Sequence, residues 1–263
     1  MFKLALLIIF LYVSFVLILY ILQDKFLFHP NLQTRDFSDL GHRSHEFTVN
    51  VDNTVKLEAV RFEAQELTDK TKTVFYFAGN AEDAVQVTAI MARRYPLHNW
   101  VTFNYRGYGK SGGKPTLKNI KQDAISFYDY AEKKFSLKSS IFLGHSLGSG
   151  IASFLASKRD AFKIVLSAPY DSIANVSRSH YPFIPFIKNL LRFHLNSVNS
   201  LKDVNMPVAI LALTSDEVVP VKHARVLREN INNLAYYEEF EGTEHGEFLN
   251  HPPVIKKLGE ILE

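Results

Sequence analysis

The most apolar part of the chain lies at its beginning. Between residues 4 and 22 no charged side chain occurs, and the polar interruptions are Tyr12, Ser14 and Tyr20. As an α-helix rising about 1.5 Å per residue, this run would be about 28 Å long, close to the thickness of the hydrocarbon core of a bilayer. The pattern therefore predicts a single membrane anchor over residues 1–25.

The end of this run separates an anchor from a cleavable signal peptide. A signal peptide has a shorter apolar region followed by a pair of small residues, whereas this run ends in Gln23-Asp24-Lys25-Phe26. An uncleaved anchor is therefore favoured, with a signal peptide as the alternative. The positive charge that flanks the run is nearly equal on its two sides: Lys3 precedes it, and Lys25, next to Asp24, follows it. The positive-inside rule therefore favours a cytoplasmic N-terminus only slightly.

Beyond the anchor the hydrophobic period changes. Segments 46–51 and 55–62 alternate apolar and polar residues around Asp52-Asn53, which is typical of a β-hairpin. After a polar loop, short apolar runs alternate with stretches of helical spacing. The expected strands lie at 73–78, 100–104, 140–144, 162–167, 207–213 and 235–240, and the expected helices at 83–95, 116–135, 147–156, 221–230 and 252–262. This alternation predicts one α/β domain over residues 26–263, with a mostly parallel sheet, helices on both faces and an antiparallel edge hairpin.

Residues 170–205, here called the lid segment, interrupt this alternation. The segment has no strand pattern and carries apolar clusters at 181–186 and 190–195. It lies between two strands of the sheet, so it must leave the sheet and return, and long connections inside compact domains are usually functional. We expect a short helical lid, with a plain long crossover as the alternative.

The chemical motif with the clearest context is Gly144-His145-Ser146-Leu147-Gly148, between a strand and a helix. A strand that turns directly into a helix strains the corner residue and crowds the residues two before and two after it. Glycine relieves that crowding at Gly144 and Gly148 because it has no Cβ. The hydroxyl of Ser146 then projects above the sheet, as in a nucleophile elbow. The alternative is an ordinary serine at a helix N-cap.

A serine nucleophile needs a base, and the base needs an orienting acid. On this type of sheet they follow the serine in the order Asp or Glu, then His, at the carboxyl ends of later strands. Asp216 comes first after its strand, with Glu217 as the competitor. His245 lies on a loop after the last strand, with His251 as the rival before the last helix. We therefore predict Ser146, Asp216 and His245 as the catalytic residues.

The oxyanion of a tetrahedral intermediate needs two preorganised N–H donors. One is expected to be the N–H of Leu147, at the start of the elbow helix. The other is expected from the loop after the strand at 73–78, from Asn80 or Ala81. His145 is expected to point away from the nucleophile and to pack as a supporting residue.

Charge and composition exclude several classes. A net charge of +3 is too small to indicate a nucleic-acid partner. The chain has no cysteine, which excludes disulfides, thiolate catalysis and Cys-ligated metals. Residues 107–112 match G-x-G-x-x-G, but Gly113, Lys114 and Pro115 separate them from the next helix, so nucleotide binding is not favoured. These glycines are expected to fold a loop over the end of the sheet, and neither a cofactor nor a metal is expected.

Taken together, the motifs resemble the α/β-hydrolase superfamily, and in particular its single-pass membrane-anchored members with a short lid. The resemblance runs from about residue 26 to the end of the chain. It rests on Phe77-Ala78-Gly79-Asn80-Ala81, Tyr105-Arg106-Gly107-Tyr108-Gly109-Lys110-Ser111, Gly144-His145-Ser146-Leu147-Gly148, His180-Tyr181-Pro182-Phe183, Ser215-Asp216-Glu217-Val218-Val219-Pro220 and Glu244-His245.

The resemblance implies the same triad, Ser146, Asp216 and His245, with Asn80 and Leu147 near the oxyanion. The chain departs from the family at Ala78, where a histidine usually precedes Gly-Asn, and at Leu213-Thr214, where His-Gly is usual. Neither change removes a member of the triad.

These observations predict a membrane-anchored serine hydrolase that works through an acyl-enzyme. The apolar lid and the adjacent bilayer favour a carboxylic ester as the substrate, with lipid-like esters among the candidates. A thioesterase and a serine aminopeptidase would use the same triad and are alternatives, because family membership does not define the substrate. An alternative of another class is a non-catalytic binding protein on a hydrolase fold, which the presence of all three triad residues disfavours.

Overall fold

The computed structural model describes residues 2–30, 43–52, 54–137 and 139–263, and in this part of the chain it contains an eight-stranded sheet. The strands are β1 (Ser44–Val51), β2 (Val55–Phe62), β3 (Thr73–Phe77), β4 (Asn99–Phe103), β5 (Ser140–His145), β6 (Lys163–Ser167), β7 (Val208–Leu213) and β8 (Leu234–Phe240). Their order across the sheet is β1-β2-β4-β3-β5-β6-β7-β8. Strands β1 and β2 pair in antiparallel fashion, and β3 to β8 are parallel. The predicted α/β architecture is confirmed.

Helices connect the parallel strands. They are α1 (Phe2–Leu27), α2 (Ala84–Arg94), α3 (Leu117–Phe135), α4 (Leu147–Ala156), α5 (Ile173–His180), α6 (Ile187–Leu190), α7 (Ser197–Leu201), α8 (Lys222–Glu229) and α9 (Pro252–Leu262). Polar side chains cap the start of four of them: Asp83 accepts hydrogen bonds from the first N–H groups of α2, and Thr116, Ser172 and Asn196 do the same for α3, α5 and α7. Such caps satisfy N–H groups that have no partner within the helix.

The core lies on the central strands. Every residue of β3, β4, β5 and β7 is buried, which explains why these strands are continuous apolar runs rather than alternating ones. Aromatic rings fill the space between the sheet and α3: the ring centroids of Phe103 and Phe127 are 4.6 Å apart. At the edge, β1 is half exposed, and its Phe47 packs against Phe135 at 5.3 Å.

The loop after β4 folds over the end of the sheet, as the sequence predicts. Arg106 donates two hydrogen bonds to the carboxylate of Asp123, at 2.6 and 2.7 Å, and a third to Asp52 at 2.8 Å. Gly107 and Gly109 have φ values of 75° and 50°, in the left-handed region that glycine adopts at little cost. The loop is therefore held by a buried ion pair whose position its glycines permit.

Helix α1 and the lid segment lie together outside the sheet. The lid segment forms α5, α6 and α7 between β6 and β7, and a β-bridge between Ser172 and Asn196 joins its two ends. Most apolar side chains of α1 are exposed, and residues 2–25 are long and apolar enough to cross a membrane. After the C-terminal end of α1 the chain enters the domain. There buried Phe28 packs edge-on against Phe193, with the ring centroids 5.9 Å apart.

Candidate active site

Strand β5 runs directly into α4 at Ser146, whose φ of 53° and ψ of −120° are rare for a residue other than glycine. The N–H of Ser146 donates to the carbonyl of Ser167 at 3.0 Å, and its own carbonyl accepts a hydrogen bond from Ser149 Oγ at 2.6 Å. These bonds tie the corner to β6 on one side and to α4 on the other. Ser146 occupies the N-cap position of α4, but its side chain makes no capping hydrogen bond, so it does not act as an ordinary capping serine.

The two glycines of the elbow leave no room for a side chain. A β-carbon built at Gly148 would lie 1.9 Å from the carbonyl oxygen of Phe77, and one at Gly144 would lie 2.3 Å from the carbonyl oxygen of Gly148. Both neighbours are main-chain atoms, so neither can rotate away. The start of α4 packs against the end of β3 because position 148 is glycine.

Asp216 and His245 meet although 29 positions separate them along the chain. One carboxylate oxygen of Asp216 accepts the N–H groups of Val218 and Val219 at 2.9 and 2.7 Å, and the other lies 2.6 Å from Nδ1 of His245. This contact assigns the proton to Nδ1 and leaves Nε2 as the basic nitrogen. Asp216 is buried whereas Glu217 is exposed, so the structure pairs His245 with the favoured carboxylate.

His245 begins a short 3-10 helix, His245–Glu247, where the sequence predicts a plain loop. Its ring lies 5.2 Å from the ring of His145, the residue before the serine, and the His145 ring stacks on Phe248 at 4.8 Å. Burial lowers the pKa of His145 to about 3, and positive charge on His245 acts in the same direction. His145 is therefore a neutral packing residue, as predicted, and it is also the contact between the serine elbow and His245.

Sequence reasoning missed a carboxylate, Glu82, which lies beside the proposed oxyanion loop. Its Oε2 accepts hydrogen bonds from Tyr76 Oη at 2.7 Å and from the N–H of Gly79 at 2.6 Å, and its Oε1 is 3.8 Å from Nε2 of His145. Burial raises the pKa of the Glu82 carboxyl, while the bonds from Gly79 and Tyr76 and the charge of His245 oppose that rise. The side chain thus fixes the main chain where the loop begins. An acidic residue directly after Gly-Asn-Ala was the available signal.

The proposed oxyanion residues come from two elements, Leu147 from the start of α4 and Asn80 and Ala81 from the loop after β3. Leu147 is the first residue of α4, so its N–H is among those left without a partner inside the helix. Asn80 is held by residues outside its loop. Its side-chain Nδ2 donates to the carbonyl of Leu27 at 3.2 Å. Its main-chain carbonyl accepts hydrogen bonds from the N–H of His29 at 3.2 Å and from Tyr108 Oη at 2.7 Å. Exposed Ala81 follows in the same turn.

A second hydrogen-bonded cluster of Ser, His and Asp side chains holds the lid segment to α8. Nδ1 of buried His223, on α8, lies 2.7 Å from Asp171, and its Nε2 lies 3.0 Å from the hydroxyl of Ser179 on α5. Burial raises the pKa of Asp171, but hydrogen bonds from His223 and Asn175 outweigh it, and the pKa is lowered overall. Ser179 lies inside a helix and also bonds to the carbonyl of Asn175, without an elbow. This cluster fastens α5 to α8.

The rival histidine lies elsewhere. His251 is at the N-cap of α9, and its ring packs near Phe240 at 6.5 Å, so it is not the partner of Asp216. Among residues 2–30, 43–52, 54–137 and 139–263, no group of three or more His, Cys, Asp or Glu side chains is arranged to hold a metal ion.

The chain is similar to known proteins in sequence and in fold. A family model described as "Serine aminopeptidase, S33" matches residues 69–198, which include the elbow and the Glu82 loop. In fold, the chain is similar to an esterase of Pyrococcus furiosus, with a TM-score of 0.70 and 18% identity over 90% of this chain and 96% of the esterase. The sheet, the elbow and these likenesses define the class: an α/β-hydrolase fold.

Curated relatives agree at the level of sequence. An uncharacterized protein of Mycobacterium tuberculosis is 33% identical over 120 residues, which cover 45% of this chain and 42% of that protein. Lysophosphatidylserine lipase ABHD12 of Danio rerio is 28% identical over 180 residues, covering 59% of this chain and 46% of the lipase. The matches therefore span less than half of either relative. In sequence, the chain therefore resembles α/β-hydrolase-domain proteins over part of its length, and it has their fold.

Proposed function

We propose that this protein is a membrane-anchored serine hydrolase that cleaves acyl esters through Ser146, His245 and Asp216. The observation that carries the proposal is the 2.6 Å contact between Asp216 and Nδ1 of His245, beside an elbow whose strained corner is a serine. The relatives described as a lipase, an esterase and a serine aminopeptidase support the same class.

The chemistry assigned to each residue follows from these positions. Nε2 of His245 takes the proton of the Ser146 hydroxyl as the oxygen attacks the acyl carbonyl, and Asp216 stabilises the imidazolium that forms. Collapse of the tetrahedral intermediate expels the alcohol, which receives that proton. Water then attacks the acyl-enzyme by the same route in reverse and releases the acid and free Ser146.

Two backbone N–H groups are assigned to the oxyanion. One belongs to Leu147, and the other to Asn80 or Ala81 on the loop after β3. Such donors act because they are already oriented before charge develops on the carbonyl oxygen. The hydrogen bonds that hold Asn80 to Leu27 and His29, and Glu82 to Gly79, support a loop that is preorganised in this way.

Anchoring and substrate class are part of the proposal. Helix α1 is long and apolar enough to span a bilayer, and the domain begins directly after it. An enzyme held there meets substrates dissolved in the membrane or at its surface. The described activity of the zebrafish relative, a lysophosphatidylserine lipase, supports a lipid-like acyl ester.

Labelling with a fluorophosphonate tests the mechanism, because this probe reacts with an activated serine. The full-length protein in detergent should be labelled, and Ser146→Ala should abolish labelling. Ser179→Ala is the matched control, since Ser179 also has a histidine partner within hydrogen-bond distance but lacks an elbow, and it should label normally. An unlabelled wild type, or labelling that survives Ser146→Ala, would refute the mechanism.

A serine aminopeptidase is the second candidate, because the matching family model carries that description. The triad would attack an amide instead of an ester. Initial rates on p-nitrophenyl esters and on aminoacyl p-nitroanilides separate the two. We expect higher kcat/KM on the esters, and the reverse order would favour the peptidase.

A further inference from the structure

We infer that the acyl chain of the substrate occupies a cavity between α1 and the lid segment, so that the anchor helix forms one wall of the binding site. This inference rests on the proposed function and names where its substrate binds. The cavity has a volume of about 400 Å³, within the range of pockets that hold small ligands, about 300–1,000 Å³.

One face of the anchor helix lines the cavity. Val16, Leu19, Tyr20, Gln23 and Leu27 contribute to it, and their spacing of three and four residues places them on one side of a helix. Residues on the other side of α1, such as Ile18, are exposed; 53% of Ile18 is accessible. The helix therefore has two distinct apolar faces, one toward the cavity and one toward the surroundings.

The opposite wall comes from the lid segment. Ile173, Val176, Ile184, Ile187 and Phe193 line it, and no lysine, arginine, aspartate or glutamate occurs among the described residues around the cavity. Apart from the imidazoles of His29 and His180, a charged ligand would find no ionisable partner of opposite charge among Lys, Arg, Asp and Glu here, and burying it would be unfavourable. An unbranched hydrocarbon chain fits this chemistry.

Polar contacts hold the two walls together. The side-chain amide of Gln23 donates to the carbonyl of Leu190 at 2.8 Å and accepts the N–H of Arg192 at 2.9 Å. The guanidinium of Arg192 lies 3.2 Å from Asp24, and Tyr12 Oη donates to the carbonyl of Phe183 at 3.0 Å. Directional bonds from Tyr12, Gln23 and Asp24 thus hold the helix to the lid segment at three positions along its length.

The cavity also reaches the proposed oxyanion loop. Asn80 is one of its lining residues, and the same residue is bonded to Leu27 and His29 at the end of α1. An ester whose carbonyl lies at this loop would extend its hydrocarbon tail into the space beside it. The position of the cavity, and not only its apolar lining, therefore indicates an acyl chain as the occupant.

Chain-length selectivity of cavity-filling variants tests the inference. The full-length protein in detergent micelles is assayed on p-nitrophenyl acetate and p-nitrophenyl laurate. Val16→Trp and Leu19→Trp should lower the ratio of kcat/KM for laurate over acetate by at least about tenfold, since each methylene kept out of an apolar site changes affinity roughly fourfold. Ile18→Trp, on the exposed face of the same helix, is the matched control and should leave the ratio within about twofold.

The outcomes separate the two proposals. If acetate is hydrolysed normally and the ratio does not respond to Val16→Trp or Leu19→Trp, the cavity assignment fails and the proposed function stands. An equal change in Ile18→Trp would also overturn the assignment, because it would point to a general effect of the membrane helix. If neither ester is hydrolysed and fluorophosphonate does not label Ser146, both proposals fail.

The cavity-filling variants also distinguish an acyl chain from a second copy of the protein. We expect the oligomeric state of Leu19→Trp in detergent, measured by light scattering, to equal that of the wild type. Dissociation of a wild-type dimer by this substitution would mean that a second copy occupies the cavity and would overturn the assignment.

Discussion

Replacing Gly148 by alanine should displace the nucleophile. The β-carbon of the new residue would lie 1.9 Å from the carbonyl oxygen of Phe77 and 2.4 Å from its carbonyl carbon. These atoms belong to the end of β3, in the interior of the sheet, where close packing leaves little freedom to adjust. The start of α4 would therefore have to move away from β3.

The size of this movement follows from the structure. Real β-carbons essentially never approach another heavy atom within 3.0 Å, so α4 must shift by at least about 1.1 Å at this point, the difference between 3.0 and 1.9 Å. A misplacement of about 1 Å reduces a catalysed rate by roughly 100-fold. Overpacking of this kind destabilises a protein by about 1–3 kcal/mol.

We therefore expect Gly148→Ala to lower kcat/KM for p-nitrophenyl acetate by roughly 100-fold, and thermal unfolding to show a lower Tm. Gly246→Ala is the control, because a β-carbon there has no heavy atom within 4 Å although the residue adjoins His245. It should retain nearly wild-type activity and stability. Gly148→Ala with wild-type kcat/KM and Tm would refute the packing described for the elbow.

Three further predictions concern the polar contacts around the site. Glu82→Gln should lower kcat for p-nitrophenyl acetate roughly fivefold, because the hydrogen bond to Gly79 loses its charge and about 1 kcal/mol. Asp123→Ala should destabilise the fold by about 3–5 kcal/mol in urea unfolding, because it removes the buried partner of the Arg106 guanidinium and leaves only the half-exposed Asp52. The pKa of Asp171 lies below its ordinary 3.8, so its contribution to stability should be present above pH 3.8 and lost as the pH falls through the folded-state pKa.

Each of these predictions has a control and a contrary result. Unchanged kcat in Glu82→Gln would mean that the carboxylate does not position the loop. Asp129→Ala removes an ion pair to Arg159 that is about half exposed, so it should change stability by less than about 1 kcal/mol; a loss as large as that of Asp123→Ala would contradict the importance of burial. For Asp171→Asn, the difference in Tm from the wild type should shrink between pH 5 and 2, and a constant difference would contradict the assigned pKa.

The elements of the fold were predictable because their signals are local. Alternation in β1 and β2, continuous apolar runs in β3 to β7 and helical spacing in α2, α3 and α9 each depend on neighbours within a few residues. The same holds for the elbow, since crowding at a strand–helix corner acts between positions 144, 146 and 148. The sequence by itself therefore determined the α/β class, the antiparallel edge and the three residues proposed as the triad.

The tertiary structure decided contacts between distant parts of the chain. It paired His245 with Asp216 rather than with Glu217, and it placed Glu82 under the loop after β3. It also set Gln23 of α1 against Leu190 of the lid segment, 167 positions away. Apolar spacing shows which face of a helix is buried but not which element covers it, and for that reason the cavity between α1 and the lid segment is a property of the folded chain alone.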